Sequence, residues 1–84
     1  VSYRYAVSNV LTLDELVGAT IRAELARRRF TATDAAVPLN RTRQYVSRRL
    51  TGELSFTLAD LDGIAHFLGI SLTSLLPDSA SKAA

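Results

Sequence analysis

The chain predicts an all-α fold. Every periodic segment after residue 11 carries apolar residues at helical spacing, none alternates as a strand does, and Thr and Gly punctuate the points where helices begin and end. With 84 residues and 48% hydrophobic content there is material for one small domain around a single core, expected over 12–77. Cysteine is absent, so stability must come from packing and not from disulfides or a cysteine-bound zinc. No apolar run approaches the roughly 20 residues that span a bilayer, and a soluble, cytoplasmic protein is expected.

Helix 1 is expected to start at Leu13, behind a capping box of Thr12 and Glu15, with Asp14 adding negative charge to its first turn. Leu13, Leu16, Val17, Ile21 and Leu25 form its inner stripe, and Phe30 closes the segment as a core anchor. Thr31 or Thr33 caps a short helix 2 with Ala35, Ala36 and Leu39 inside. Pro38 lacks an amide hydrogen and disfavours helical geometry at Val37, so helix 2 is expected to end near there. Asn40 then occupies the sharp turn, since Asn tolerates left-handed backbone angles. Thr42 caps helix 3, and Gly52 ends it.

After a loop from Glu53 to Phe56, Thr57 with Asp60 opens helix 4, whose buried stripe is Leu58, Leu61, Ile64, Ala65 and Leu68 and whose end is Gly69. Ser71 opens a short helix 5 through Leu72, Leu75 and Leu76, stopped by Pro77. Two flanks stand apart. In residues 1–11, Val1, Tyr3, Tyr5 and Val7 alternate with Ser2, Arg4, Ala6 and Ser8, the period of a strand with one apolar face. Such an arm could pair with its twin across a dimer, dock on the domain, stay disordered or reach along a partner through Arg4, and docking or disorder is favoured over the last. Residues 78–84 have the small, polar composition of a tail or linker. That tail, and the lack of any methionine, position 1 included, set the expectation of a piece of a longer protein from which a C-terminal dimerisation or sensing domain is missing.

Charge is segregated along the chain. From Arg22 to Arg49 eight arginines face only Glu24 and Asp34, whereas elsewhere Arg4 and Lys82 face six acidic residues. A confined basic patch fits a polyanionic partner, because fields from clustered charges add; a solvated Arg-rich surface is the alternative. Arg27 to Arg29 suit the negative end of the helix 1 dipole structurally. Within the patch, Thr42 to Gly52 places Arg43, Gln44 and Arg48 on one helix face and Val46 and Leu50 on the other. Arg and Gln are the side chains that pair with guanine and adenine edges, and a helix is an element the major groove admits.

Four features read in order carry a family resemblance: Phe30-Thr31 opening helix 2, the run Tyr45-Val46-Ser47-Arg48-Arg49-Leu50-Thr51-Gly52, the run Ile64 to Ile70, and the closing Leu72-Thr73-Ser74-Leu75-Leu76-Pro77. From about Leu16 to Pro77, roughly three quarters of the chain, it resembles the lambda-repressor-like or Xre/Cro helix-turn-helix domains, of phage immunity repressor type. The resemblance implies a five-helix bundle with helices 2 and 3 as the helix-turn-helix, and a transcriptional repressor of phage or bacterial origin that binds a double-stranded DNA operator. It implies a homodimer in the full-length protein; with a C-terminal dimerisation domain missing, the fragment could be monomeric and bind only half-sites weakly. Carried over by position, Arg43, Gln44, Ser47 and Arg48 resemble base-contacting residues. Ala32, Thr33, Arg41, Thr42, Tyr45 and Thr51 resemble residues near the phosphates, Ala32 through its backbone N–H at the start of helix 2.

Departures from the family pattern are Asn40 where Gly is common, Pro38 where ordinary helix formers stand, and Ala32 in place of a bracing polar residue. Tyr45 has two readings, a hydroxyl on phosphate or a ring packed on a neighbouring helix. Arg49 falls between the two faces and has Glu53 and Asp34 as candidate partners. His66 has no second histidine and no cysteine to make a metal site, and Ser47, Ser55 and Ser71 have no base at a recognisable motif distance. No enzymatic activity, cofactor, metal or small-molecule ligand is expected. The competing reading of function is a protein-interaction module on the same scaffold, such as an antitoxin-like binder of an acidic partner.

Overall fold

The computed structural model describes residues 11–77. Almost all of the 1–11 arm and the whole 78–84 tail lie outside that range. Among the described residues the chain is all-helical: α1 (Leu13–Arg27), α2 (Ala32–Leu39), α3 (Arg43–Leu50) and α4 (Leu58–Leu68), followed by a single 3₁₀ turn, Leu72–Leu75. The expected fifth α-helix is therefore one turn of four residues. Its confinement explains this. Gly69 is left-handed just before it, Leu76 is extended ahead of Pro77, and the hydroxyl of Ser71 is engaged with Thr73 and Ser74 instead of capping a backbone amide.

Local chemistry starts each α-helix. Thr12, Thr31 and Thr57 each accept from the amide three residues on, and Glu15, Asp34 and Asp60 reach back to the threonine amide, closing three capping boxes. Thr42 caps α3 by accepting from the Tyr45 amide at 3.0 Å. Helix ends use left-handed residues. Asn40 (φ 56°) closes α2, and at the end of α1 Arg29 adopts φ 61° while the Phe30 amide reaches back to Leu25 O.

One expected boundary moves. Regular helix in α2 runs through Pro38 to Leu39 instead of ending near Val37. Pro38 sits in the last turn, where its missing amide removes a single bond, and the added residues put Leu39 against Gly63 of α4, its Cδ2 only 2.5 Å from where a side-chain carbon at Gly63 would lie. Leu13 and Leu58, read as stripe members, are instead first-turn residues left 63% and 78% exposed. With Leu76 they frame an apolar groove of about 190 Å³ floored by Val17, Phe56 and Leu61. Phe30 is likewise no core anchor: it is partly exposed, its ring tilted against Phe67 with centroids 4.8 Å apart.

The core joins Val17, Ile21 and Leu25 of α1, Ala35 and Ala36 of α2, Val46 and Leu50 of α3, Leu61, Ile64, Ala65 and Leu68 of α4, and Leu75. The small Ala35 and Ala36 let α2 lie close to α3 and α4. Gly18 does the same between α1 and α3. A methyl group there would overlap the Leu50 carbonyl and stand 3.0 Å from Arg49 O. From the same helix the Arg22 guanidinium donates to Leu50 O, placing positive charge where the α3 dipole is negative.

Gly18→Ala is expected to invert the usual effect of that change in a helix. Helix propensity alone would add up to about 1 kcal/mol, but forced overpacking against backbone costs about 1–3 kcal/mol. Urea unfolding should therefore show a net loss of stability, and a gain would mean that α1 and α3 separate freely.

Candidate functional site

The turn between α2 and α3 sets the site. Left-handed Asn40 donates its amide back to Val37 O at 3.0 Å, Arg41 donates its own to Ala36 O at 3.1 Å, and Thr42 then caps α3. Asn40 thus closes the turn where the resemblance has Gly. Beneath α3, Val46 is fully buried and Leu50 nearly so, which fixes the roll of the helix about its axis. Its outer face presents Arg43, Gln44 and Arg48 to solvent, with Ser47 half-buried among them. These are the four residues singled out for base contact, and the fold brings them onto one face.

The residues expected near phosphate are mostly open to solvent. Thr33, Arg41, Thr42 and Thr51 are exposed and Ala32 is half-buried at the start of α2, with Thr31 as the cap. Thr51 is tied into the end of α3: its hydroxyl donates to Arg48 O at 3.0 Å and accepts from the Glu53 amide at 3.4 Å. Arg48 is not free. Its Nη2 lies 3.0 Å from Glu53 Oε2 in a pair exposed on both sides. An exposed pair of this kind is worth a few tenths to about 1 kcal/mol, little enough to open for a better anion.

Arg49 has neither partner offered for it from the sequence. Its guanidinium carbon sits 3.5 Å from the centroid of the Tyr45 ring, Nη1 donates to Tyr45 O at 3.0 Å, and Nε donates to Ser55 O at 3.1 Å. Arg41 approaches the same ring at 4.7 Å. The Tyr45 hydroxyl points inward and donates to Asp60 Oδ2 at 2.6 Å, so of its two readings the packed one is the one observed. The same carboxylate oxygen accepts the Thr57 amide at 3.2 Å.

Asp60 is the one buried charged residue among those described, 4% exposed. Burial pushes its carboxyl up, yet the hydrogen bonds from the Tyr45 hydroxyl and from Thr57, with the Arg41 charge, together hold it below the usual carboxylate value. The same bond to Asp60, aided by burial, raises the Tyr45 phenol. Arg27 and Arg28, by contrast, serve α1: both pair with Glu24, and the Arg28 hydrogen bond is the main influence lowering that carboxyl. Against the expectation of no carboxylate four residues away, Asp62 stands one turn before His66, its Oδ1 3.6 Å from His66 Nδ1, in an exposed pair. No group of three metal-ligating side chains forms among the described residues, and no helix there is long and apolar enough to cross a membrane.

No protein-family model matches the chain, nor does any curated protein. Among solved structures it is similar to the clp gene regulator ClgR from C. glutamicum, at a TM-score of 0.76 and 25% identity, over 89% of this chain and 97% of that one. The fold is a helix-turn-helix. Nearly the whole of the ClgR chain is matched, and α2 and α3 are the two helices joined by the tight turn at Asn40.

The Tyr45–Asp60 bond gives a prediction with opposite signs at the two ends of the pH scale. Asp60 is lowered on folding, so its contribution is complete above the unfolded value of about 4 and fades as pH falls through the lower folded value. Tyr45 is raised, so its contribution is complete below about 10 and fades as pH climbs through the higher folded value. Asp60→Asn is expected to cost about 1–3 kcal/mol at neutral pH and to flatten the acid limb of stability measured by urea unfolding. An unchanged acid limb would show that Asp60 has no part in it.

Proposed function

We propose that this chain is the DNA-binding part of a transcriptional regulator and recognises a double-stranded operator with α3 in the major groove. One observation carries the reading. Arg43, Gln44, Ser47 and Arg48 share the outer face of a helix whose inner face is locked by Val46 and Leu50. Diffuse positive charge would serve any polyanion, but an amide beside a guanidinium at a helix start adds hydrogen-bond selectivity and little Coulomb attraction. The N-terminal end of such a helix meets base edges first.

In this reading Arg43, Gln44, Ser47 and Arg48 read bases. Arg41, Thr42, Thr51 and the free amides at Ala32 and Thr33 hold phosphates and so set the register. Arg48 exchanges Glu53 for a base edge on binding. The likeness to a gene regulator supports the regulatory role. Repression, phage immunity, cytoplasmic location and a homodimer on a palindromic operator follow from the motif resemblance and complete the proposal.

Selection from a random duplex pool at about 0.15 M salt, where the Debye length is about 8 Å, should enrich a motif. Its symmetry then reports how copies are arranged. Contacts with roughly four to six phosphates give a log–log salt slope of about −4 to −5. Arg43→Ala and Gln44→Ala should each cost about 1–3 kcal/mol and relax one base position. Equal losses on every duplex would deny these side chains a reading role, and no enrichment by the folded protein would favour the protein-interaction module. Glu53→Gln, which frees Arg48, should tighten binding up to about fivefold, the size of an exposed ion pair; weaker binding would mean that Glu53 positions Arg48 and does not compete for it.

A further inference from the structure

We propose that Arg41 and Arg49, gathered on the Tyr45 ring, form a phosphodiester clamp beside α3, and that Asp60 is its positioning residue. The proposal rests on the DNA-binding reading and adds Arg49 and Asp60, neither of which lies on the outward face of α3. Both guanidinium carbons lie within 4.7 Å of one ring centroid. Two like charges collected at one ring repel each other, and an anion bound beside them relieves that repulsion. The ring is suited to hold them, since its face is negative. Donation of the phenolic proton toward a carboxylate polarises the hydroxyl and leaves the ring richer in electrons.

The donors match the task. A guanidinium carries five N–H groups. Arg49 spends one on Ser55 O and one on Tyr45 O, which fix its plane and leave the others unassigned. Arg41 has no side-chain hydrogen bond among the described residues. Tyr45 and Arg49, with Thr42, Gln44, Arg48 and Leu54, line an open depression of about 280 Å³, room enough for a phosphate group. The positioning is done from below. Asp60 is buried and held by the Thr57 amide at the start of α4, so the ring, and with it both cations, is referenced to the core and not to the surface. A cation pair fixed in this way binds without first losing side-chain freedom.

The test uses Arg49→Ala, Tyr45→Phe, Asp60→Asn and the Tyr45→Phe/Asp60→Asn double variant, each shown folded by circular dichroism. Binding is measured against the selected duplex and a scrambled one over a salt series. Side-chain Nε–H signals of Arg41 and Arg49 are followed by NMR during addition of inorganic phosphate at constant ionic strength. Arg49→Ala should weaken both duplexes by the same factor, leave the selected motif unchanged and reduce the salt slope by about 0.9, one phosphate's worth. Tyr45→Phe and Asp60→Asn should each weaken binding several-fold and reduce the phosphate-induced shift of Arg49, and the double variant should be no worse than either single one. A role confined to stability would leave the slope and the Arg49 shift as in the wild type. Arg49 signals that ignore phosphate, or an Arg49→Ala slope equal to that of wild type, overturn the clamp. Shifts that persist while no duplex is selected would keep the clamp and overturn the DNA reading.

Discussion

The closeness of α1 to the end of α3 is the constraint on which the rest depends. Gly18 admits the Leu50 carbonyl where any side chain would collide with it, and Arg22, one turn along α1, donates to that same oxygen. Together they fix where α3 ends, while the left-handed Asn40 and the Thr42 cap fix where it begins. Held at both ends and keyed by Val46 and Leu50, a helix of eight residues keeps one orientation that its own propensity would not give it. The disposition of Arg43, Gln44 and Arg48 follows from this frame.

Charge is distributed by the same economy. Of the arginines between Arg22 and Arg49, Arg22 caps α3, Arg27 and Arg28 brace α1 through Glu24, and Arg48 has Glu53. What remains concentrated around α3 is a smaller and better ordered set than the composition implies. The order comes from Tyr45, which turns its hydroxyl into the fold and its ring toward two cations.

Much of this was legible in the chain because it is written over three or four residues. Thr12 with Glu15, Thr57 with Asp60, the Thr42 cap, the turn at Asn40 and the end at Gly69 are contacts between near neighbours, and each has its own spacing. Contacts that bridge elements have no such signature. Tyr45 and Asp60 are fifteen residues apart, Arg22 and Leu50 twenty-eight, and Asp14 and Ser55 forty-one. Asp60 was visible only as a capping carboxylate, which conceals its second use. Periodicity also misled where it met a helix start. Leu13 and Leu58 keep the phase of the stripe but stand on first turns that rise out of the core. The chemistry of Pro38 opposes a helix and predicts an end near Val37, whereas the packing of Leu39 on α4 carries the helix two residues further.

If α3 is the reading helix proposed above, its shortness sets a ceiling on information. Eight residues rise about 12 Å, and base pairs stack about 3.4 Å apart, so a helix of this length lies alongside about four of them. A word of four letters from an alphabet of four recurs about once in 250 positions, while a genome offers on the order of a million or more competing sites. On the proposed reading, a single copy therefore reads a syllable and not an address. If the proposal holds, an address is composed only when several such readings are joined at a fixed spacing, and the distance between copies then carries as much meaning as the side chains on α3.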